Sequence, residues 1–431
     1  MSFAEVILWG RRIGGVVWDD KKSIANFEYD PMFIKSNIEI SPITMPLSAQ
    51  IYAFPELDLN TFHGLPGLLA DSLPDKFGNA LIDAWLAKEG KSPKSFNPVE
   101  RLCYIGKRGM GALEFKPAHG PKNSTLRDIN LESLLELASE ILSKRSAFKS
   151  SFSISTRKKA LQDILKVGTS AGGARAKAVI AWNPQTHEIR SGQIIAEPGF
   201  SYWILKFDGV AGNIDNQIEY TKGFGLIEYA YYKMALAAGI QMSESRLLEE
   251  NGRSHFMTKR FDRTENGEKI HMQSLAALAH YDFNQAGAYS YEQAIQVMRK
   301  LKLPMLEIEE QFRRTVFNIL ARNQDDHVKN IAFLMNKAGQ WKLSPAFDLI
   351  YSYNPSGVWT GMHQMSMNGK RDKFNKNDFI AFADNSSMKK GTAETIIAQV
   401  EAAVSKWQKY AQEVNIPAEI INQIAATYRK L

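Results

Sequence analysis

"NQDDHVKN", residues 323–330, sets two carboxylates, an imidazole, a lysine and two asparagines into eight consecutive positions. It follows a helix-like stretch and leads into an apolar run, "IAFLM" (331–335), which reads as a strand. "NKAGQ" (336–340) then reads as a turn and "WKL" (341–343) as a second short strand, after which "SPAFDLI" (344–350) presents Asp348. An acid and an amide on one loop, a hairpin, and then a further acid form an order that suits metal-assisted chemistry. A carboxylate and an amide oxygen are the ligands a hard cation such as Mg²⁺ takes when phosphates complete its shell. The same aspartates, Asp325, Asp326 and Asp348, also suit helix caps and turns.

The rest of the chain bounds the reading. At 431 residues it is long for one core, so two or three domains or lobes are expected. An apolar fraction of 44% and an aromatic fraction of 11% suit a packed globular protein. Its single cysteine, Cys103, excludes an internal disulfide framework and a CxxC metal site, and fits a reducing, cytoplasmic setting. The opening "MSFAEVILWGRRIGG" is too short in apolar residues for a secretory leader, and no run approaches the roughly 18 apolar residues of a membrane span. The net charge of +7 permits anionic partners, but 46 acidic residues are interspersed with the basic ones, as on an ordinary mixed surface.

Three zones follow along the chain: 1–120, 121–255 and 256–431. The first carries strand-like pieces, "AEVILWG" (4–10), "GGVVWDD" (14–20) and "SIANFEYD" (23–30), and ends in a helix, "KFGNALIDAWLAKEG" (76–90), introduced by "DSLPD". "KPAHGPKNSTLRD" (116–128) reads as a linker. The second zone opens with an amphipathic helix (131–143) and the basic, serine-rich "SKRSAFKSSFSISTRKK" (143–159), expected to be a mobile surface. Short strands "AKAVIAW" (176–182), "YWILKF" (202–207) and "HFMTKRF" (255–261) come next. The helix "GLIEYAYYKMALAAG" (225–239) lies between the last two and stops at Gly239. The third zone is mostly helical, its clearest members being "YEQAIQVMRKL" (291–301), "LEIEEQFRRTVFNILARN" (306–323) and "AETIIAQVEAAVSKWQKYAQEV" (393–414).

From Asp325 to Asn330 the spacing is D-x-x-x-x-N, that of the protein-kinase catalytic loop, where the aspartate receives a hydroxyl proton and the asparagine holds a metal. Phosphoryl transfer then requires a phosphate cradle and a lysine upstream. "VGTSAGGARAKAVIAW" (167–182) supplies a small-residue turn before a strand, with Gly168, Gly172 and Gly173 admitting backbone N–H groups to oxygens. It matches neither GxxxxGK[ST] nor GxGxxG, and an ordinary hairpin reads the same way. Lys206 sits on a strand whose alternation points it either to a cleft or to solvent. Glu228, on the next helix, is either its ion-pair partner or a surface glutamate. The chain order is glycine loop, lysine, glutamate helix, catalytic Asp, Asn, metal Asp.

With those residues in place the sequence resembles the HipA-type serine/threonine kinase toxins of bacterial toxin–antitoxin modules, over nearly its whole length. "LLADSLPDKFGNALI" (68–82) looks like the family's N-terminal signature around LPD-x-(W/F)-G. "SAGGARAK" (170–177) is similar to its glycine-rich loop, "KRFDR" (259–263) to its post-hinge motif, and "DDHVKN" with "AFDL" (346–349) to its catalytic and metal segments. The D-x-H-x-x-N form is also similar to phosphoinositide kinases. The resemblance implies an α+β, protein-kinase-like fold of two lobes, the C-lobe mainly helical and phosphoinositide-kinase-like, preceded by a β-rich N-terminal subdomain. It implies ATP and Mg²⁺ as cofactors, Asp325 as catalytic base, Asn330 and Asp348 as metal ligands, and Lys206 as a phosphate contact. Gly172, Gly173, Ala174, Arg175, Ala176 and Lys177 would cradle phosphates, and Arg175–Ala176 replaces a Gln-Glu pair found elsewhere in the family. Lys259, Arg260 and Phe261 would lie along the adenine, with Phe347 also in the nucleotide site. His327 would support the catalytic loop, and Lys329 would either neutralise the transferring phosphate or face solvent. Ser170 takes the position of an autophosphorylation off switch. The implied partners are a HipB-type helix-turn-helix antitoxin, operator DNA through that antitoxin, and a protein substrate such as glutamyl-tRNA synthetase. A small-molecule or lipid kinase, and a non-catalytic co-repressor, are the alternatives.

Overall fold

The structure, a computed structural model, describes residues 2–88, 90–120, 131–142, 164, 168, 175–193, 197–210, 214–215, 218–219 and 222–431. The serine-rich segment 143–159 and most of the expected linker lie outside the described residues. The first sheet is antiparallel, formed by β1 (Phe3–Leu8), β2 (Arg11–Asp19), β3 (Ile24–Tyr29), β4 (Ile51–Tyr52) and β5 (Leu113–Lys116) in the order β4-β3-β2-β1-β5. Val6, Leu8, Ile13, Val16 and Phe27 face a core shared with Val99 and Leu102 of the helix Pro98–Ile105, with a register shift between Gly14 and Arg12 that lets Ile13 and Val16, three apart, share the face.

The second sheet is built from β6 (Lys177–Trp182), β7 (Ile189–Ser191), β8 (Ser201–Lys206), β11 (Ser245–Glu250) and β12 (Arg253–Lys259), and β9 (Ile214–Asp215) and β10 (Ile218–Glu219) form a separate short ribbon. Its order is β11-β12-β8-β6-β7, so β8 and β6 are interior strands. Between β11 and β12 the two residues Asn251 and Gly252 have φ of 48° and 69°, the two-residue turn whose twist matches antiparallel strands. The helix Lys76–Lys88 covers this sheet, not the first one. Its Phe77 and Leu81 share a core with Ala176, Ala178, Leu205 and Met257.

A third sheet, β13 (His271–Ser274), β14 (Ala332–Met335) and β15 (Trp341–Leu343), holds the hairpin read from 331–343. Around it lie the helices Tyr291–Lys300, Met305–Leu320, Lys376–Asn385, Thr392–Val404, Trp407–Glu413 and Ala418–Ala425, with one large core through Phe312, Val316, Phe317 and Val400. The architecture is α+β, with two antiparallel sheets preceding a mainly helical part built around the third. One helix departs from expectation. The pattern at 393–414 reads as continuous, yet the chain breaks at Ser405–Lys406. Ser405 Oγ turns back to Ala402 O at 3.0 Å, and the bend sends the Trp407 indole into the core, where its N–H donates to Ile421 O at 3.0 Å. Among the described residues no helix is long and apolar enough to cross a membrane.

Candidate active site

The helix Met305–Leu320 ends at Ala321, and Arg322, at φ 55°, turns the chain into the 323–330 loop. Along the loop, anchors alternate with groups that face the cleft. Asn323 Nδ2 donates back to Asn318 Oδ1 at 2.9 Å, and Gln324 Nε2 donates to Thr360 O at 3.0 Å. Asp326 has no exposed side-chain surface and accepts from Tyr291 Oη (2.6 Å), His363 Nδ1 (2.8 Å) and the Gln364 N–H (2.8 Å). Burial alone would raise its carboxyl, but His363 and these donors hold it below the usual range. Arg429 Nη1 lies 2.7 Å from His363 Nε2, and a guanidinium only donates. His363 Nε2 therefore accepts, and Nδ1 carries the proton given to Asp326.

Asp325 faces the other way, with 18% of its side chain exposed. Its Oδ1 accepts from the Trp359 indole at 2.8 Å and lies 3.8 Å from His327 Nε2. Asn330 Nδ2 donates to Asp325 O at 2.9 Å, so Oδ1 is the atom of that amide with ligand chemistry. Lys329 Nζ sits 4.7 Å over the Phe283 ring.

β8 supplies Lys206. Its Nζ lies 2.5 Å from Glu228 Oε1 on the helix Phe224–Ala237 and also pairs with Asp348. Arg175 Nη1 takes the other oxygen of Glu228 at 3.0 Å. Burial would lower Lys206, but the two carboxylates raise it above the ordinary lysine value. Burial would raise Asp348, but Lys206, Lys177 and Arg175 bring it down to about 2. Asp348 also holds a left-handed φ of 53°, a strained conformation for a residue with a side chain and one that concentrates at functional sites. Lys177, directly opposite Lys206 in the β6–β8 register, pairs with Asp75 Oδ2 at 3.3 Å.

Among the described residues no group of three or more His, Cys, Asp or Glu side chains is arranged to hold a metal. A Mg²⁺ site needs no such group. One carboxylate and one amide oxygen suffice when phosphates and waters supply the rest, and Asp348 and Asn330 fit that donor set.

The other expected contacts separate. Ser170, Gly172, Gly173 and Ala174 lie outside the described residues, while Ala176 is fully buried beside Lys177. Arg260 does not turn its side chain to a nucleotide. Its guanidinium is sealed against Asp262 through two bonds of 2.8 and 2.7 Å, and Asp262 in turn accepts from the Gly111 N–H at 2.7 Å. Lys259 Nζ goes to Glu265 Oε1 at 2.7 Å. Phe261 packs its ring 5.6 Å from that of Phe347. Trp359, His363 and Asp75 are absent from the sequence reading as site residues. Only Asp75 carried any mark, as part of the LPD signature. Trp359 reaches Asp325 by a fold-back that no local spacing encodes.

The fold is α+β and kinase-like, with two lobes and a β-rich N-terminal part. The family model described as HipA-like C-terminal domain matches residues 169–407, more than half of the chain, and that described as HipA N-terminal domain matches residues 4–116. The chain belongs to the HipA family. Its fold is similar to HipA in the Shewanella oneidensis MR-1 structure of the toxin–antitoxin system HipA, HipB and operator DNA. That likeness has a TM-score of 0.67 at 18% identity, over 99% of this chain and 94% of that one. A Haemophilus influenzae protein described as "Putative kinase" is 22% identical over 233 residues, 47% of this chain and 68% of its own length.

Proposed function

We propose that the chain is a HipA-type toxin, an ATP- and Mg²⁺-dependent serine/threonine kinase that phosphorylates a protein and is neutralised by a DNA-binding antitoxin. The observation that carries the reading is that the buried Lys206–Glu228 pair reaches Asp348, at φ 53°, whose neighbours Phe347 and Leu349 line one pocket with His327 and Asn330 of the 323–330 loop. When bound, ATP·Mg²⁺ supplies the transferable phosphoryl group and offsets its charge. Lys206 binds phosphate oxygens, and Asn330 Oδ1 and Asp348 would hold the metal. Asp325 orients the acceptor hydroxyl and takes its proton, steadied by Trp359 and with His327 supporting the loop. Positioning and charge carry the rate in this scheme, with no covalent enzyme intermediate.

The partner follows from family membership and from the HipB and operator DNA of the Shewanella complex. The family resemblance favours an aminoacyl-tRNA synthetase as substrate and Ser170 as the site of a self-inactivating phosphorylation. The organisation proposed is an N-terminal subdomain (1–120), an N-lobe (121–255) and a C-lobe (256–431). Incubation with labelled ATP·Mg²⁺, with and without a bacterial lysate, tests the reading. Label should enter protein serine or threonine and vanish with Asp325→Ala, which should keep the wild-type melting temperature. Label entering only lipid or small molecules, or full transfer by Asp325→Ala, would overturn it.

A further inference from the structure

β6 and β8 place Lys177 and Lys206 directly opposite each other, hence on one face of the sheet. Two ammonium groups in that register repel, and both are nearly sealed from water, with 3% and 10% of their side chains exposed. Each is matched by carboxylates. Lys206 has Glu228 and Asp348. Lys177 has Asp75, which comes from the opposite end of the sequence, at the start of the helix Lys76–Lys88.

The fit between Asp75 and Lys177 is specific on one side and loose on the other. Asp75 Oδ1 accepts the Gly78 N–H at 2.6 Å, which fixes the carboxylate at the helix start. Oδ2, 3.3 Å from Lys177 Nζ, is buried and makes no hydrogen bond of good geometry. The helix beneath is held in place, since Phe77 and Leu81 pack with Ala176, the residue before Lys177. Asp75 is thus a carboxylate fixed at the helix start and facing one of two adjacent lysines, its carboxyl pushed up to about 6 by burial against the pull of Lys177, so that it carries its charge at neutral pH.

We infer that Asp75 is an internal stand-in for a nucleotide phosphate, which holds Lys177 beside Lys206 and competes with the phosphates of ATP for it. The inference rests on the kinase reading and deepens it, because it makes the N-terminal subdomain set the nucleotide affinity of the cleft. A fixed negative charge near entering phosphates opposes them, and the opposition grows with phosphate number. Removing the charge while keeping the Gly78 bond tightens ATP and leaves AMP nearly unchanged.

The test is calorimetric titration of the full chain with ATP·Mg²⁺, metal-free ATP and AMP. Asp75→Asn should bind ATP about tenfold more tightly, roughly 1.4 kcal/mol, with AMP affinity within about twofold of wild type. Asp75→Ser, which keeps an acceptor for Gly78, should do the same and serves if the amide variant does not fold. In a Lys177→Gln background the effect of Asp75→Asn should disappear. Asp83→Asn, at a half-exposed pair with Arg101, should change nothing. Unchanged or weaker ATP binding by both Asp75 variants, with wild type binding normally, overturns this inference alone. Absence of ATP binding by wild type overturns the kinase reading and this inference with it.

Discussion

Two buried charge clusters hold this molecule together, and they differ in their outlet. One lies in the cleft, where Arg175, Lys206, Glu228 and Asp348 form a continuous chain of contacts. The other lies at 260–263, where Arg260 and Arg263 close on Asp262 and Arg263 Nη1 also donates to Gly111 O at 3.1 Å. In the second, side-chain exposure is 0%, 7% and 0% for Arg260, Arg263 and Asp262. In the first, Asp348 keeps 32% of its side chain open and sits on a strained backbone. The sealed cluster joins the Gly109–Gly111 turn of the N-terminal part to the strand end of β12, with Arg260 Nη1 left buried outside its hydrogen bonds. The open one ends in Asp348, a carboxylate that solvent reaches. Charge pairing alone therefore does not mark a site; the outlet does.

Substitution should split the two by what each variant loses. Lys206→Met is expected to lower phosphotransfer on the order of 10³-fold, about 4 kcal/mol, while Glu228 keeps Arg175 and the fold survives. Turnover and a thermal melt on the same sample check this. A melt that collapses with turnover would make the cleft cluster as structural as the sealed one.

Asp262→Ala should do the reverse. It strands two buried guanidiniums and frees the Gly111 N–H, at a cost of about 3–4 kcal/mol of unfolding free energy. The fraction still folded should bind ATP with wild-type affinity. Denaturant unfolding combined with nucleotide titration reads both. If ATP affinity falls with stability, the sealed cluster also shapes the cleft.

Acid sharpens the contrast. Asp348 titrates at about 2, and Asp262 lies well below the usual carboxylate range, driven there by its arginines against the burial that would raise it. Stability from such lowered carboxylates is present above their unfolded pKa near 4 and lost only as pH falls through the lower folded value. Neither cluster should weaken between pH 7 and 4. The imidazoles should. Burial pushes His255 and His271 down to about 4, and His255 Nδ1 accepts the Asp208 N–H at 2.9 Å, which needs a neutral ring. Unfolding lets each gain a proton near 6.5, so stability present above that pH is lost as pH falls to 4. The loss is about 3 kcal/mol for each histidine. Urea midpoints from pH 7 to 4 should fall accordingly, in parallel for wild type and Asp262→Asn. Divergence would mean that Asp262 titrates higher than its arginines allow.

Much of this was legible in the sequence because it is local. The β14–β15 hairpin, the helix ending before Gly239 and the order of charged groups all follow from spacing and turn residues. What was not legible depends on contacts made after the chain folds back. Asp325 and Asp326 are chemically identical neighbours, and only the arrival of Tyr291, His363 and Gln364 makes the second an anchor. "KRFDR" looks like a row of ligand-binding charges until Asp262 sits between its arginines. The helix at 76–88 closes the first zone in the sequence, and its apolar residues divide: Phe77 and Leu81 pack with the second sheet, Ile82 and Leu86 with Tyr104 of the first zone. Sequence distance carries no information on which of two sheets an amphipathic helix will cover.

The smallest effect tests whether the open cluster's neighbour is tuned or merely near. Trp359 donates its indole N–H to Asp325 Oδ1, and Gln324, inside the loop, donates to the main chain of Thr360 next to it. The two segments are thus tied at main chain as well as at side chain, and a variant that keeps the ring need not disturb the loop. Trp359→Phe removes the donor and little else. Losing that donor should cost the carboxylate about 1 kcal/mol of orientation, seen as a roughly fivefold lower turnover. KM for ATP should not move, because Lys206, Asn330 and Asp348 are untouched. Trp359→Ala, which also removes the ring, should lose more in turnover and in melting temperature. The measurement is steady-state kinetics with ATP varied. Unchanged turnover in Trp359→Phe would leave Asp325 oriented by its other contacts, and a raised KM would place Trp359 with the nucleotide instead of with the acceptor hydroxyl.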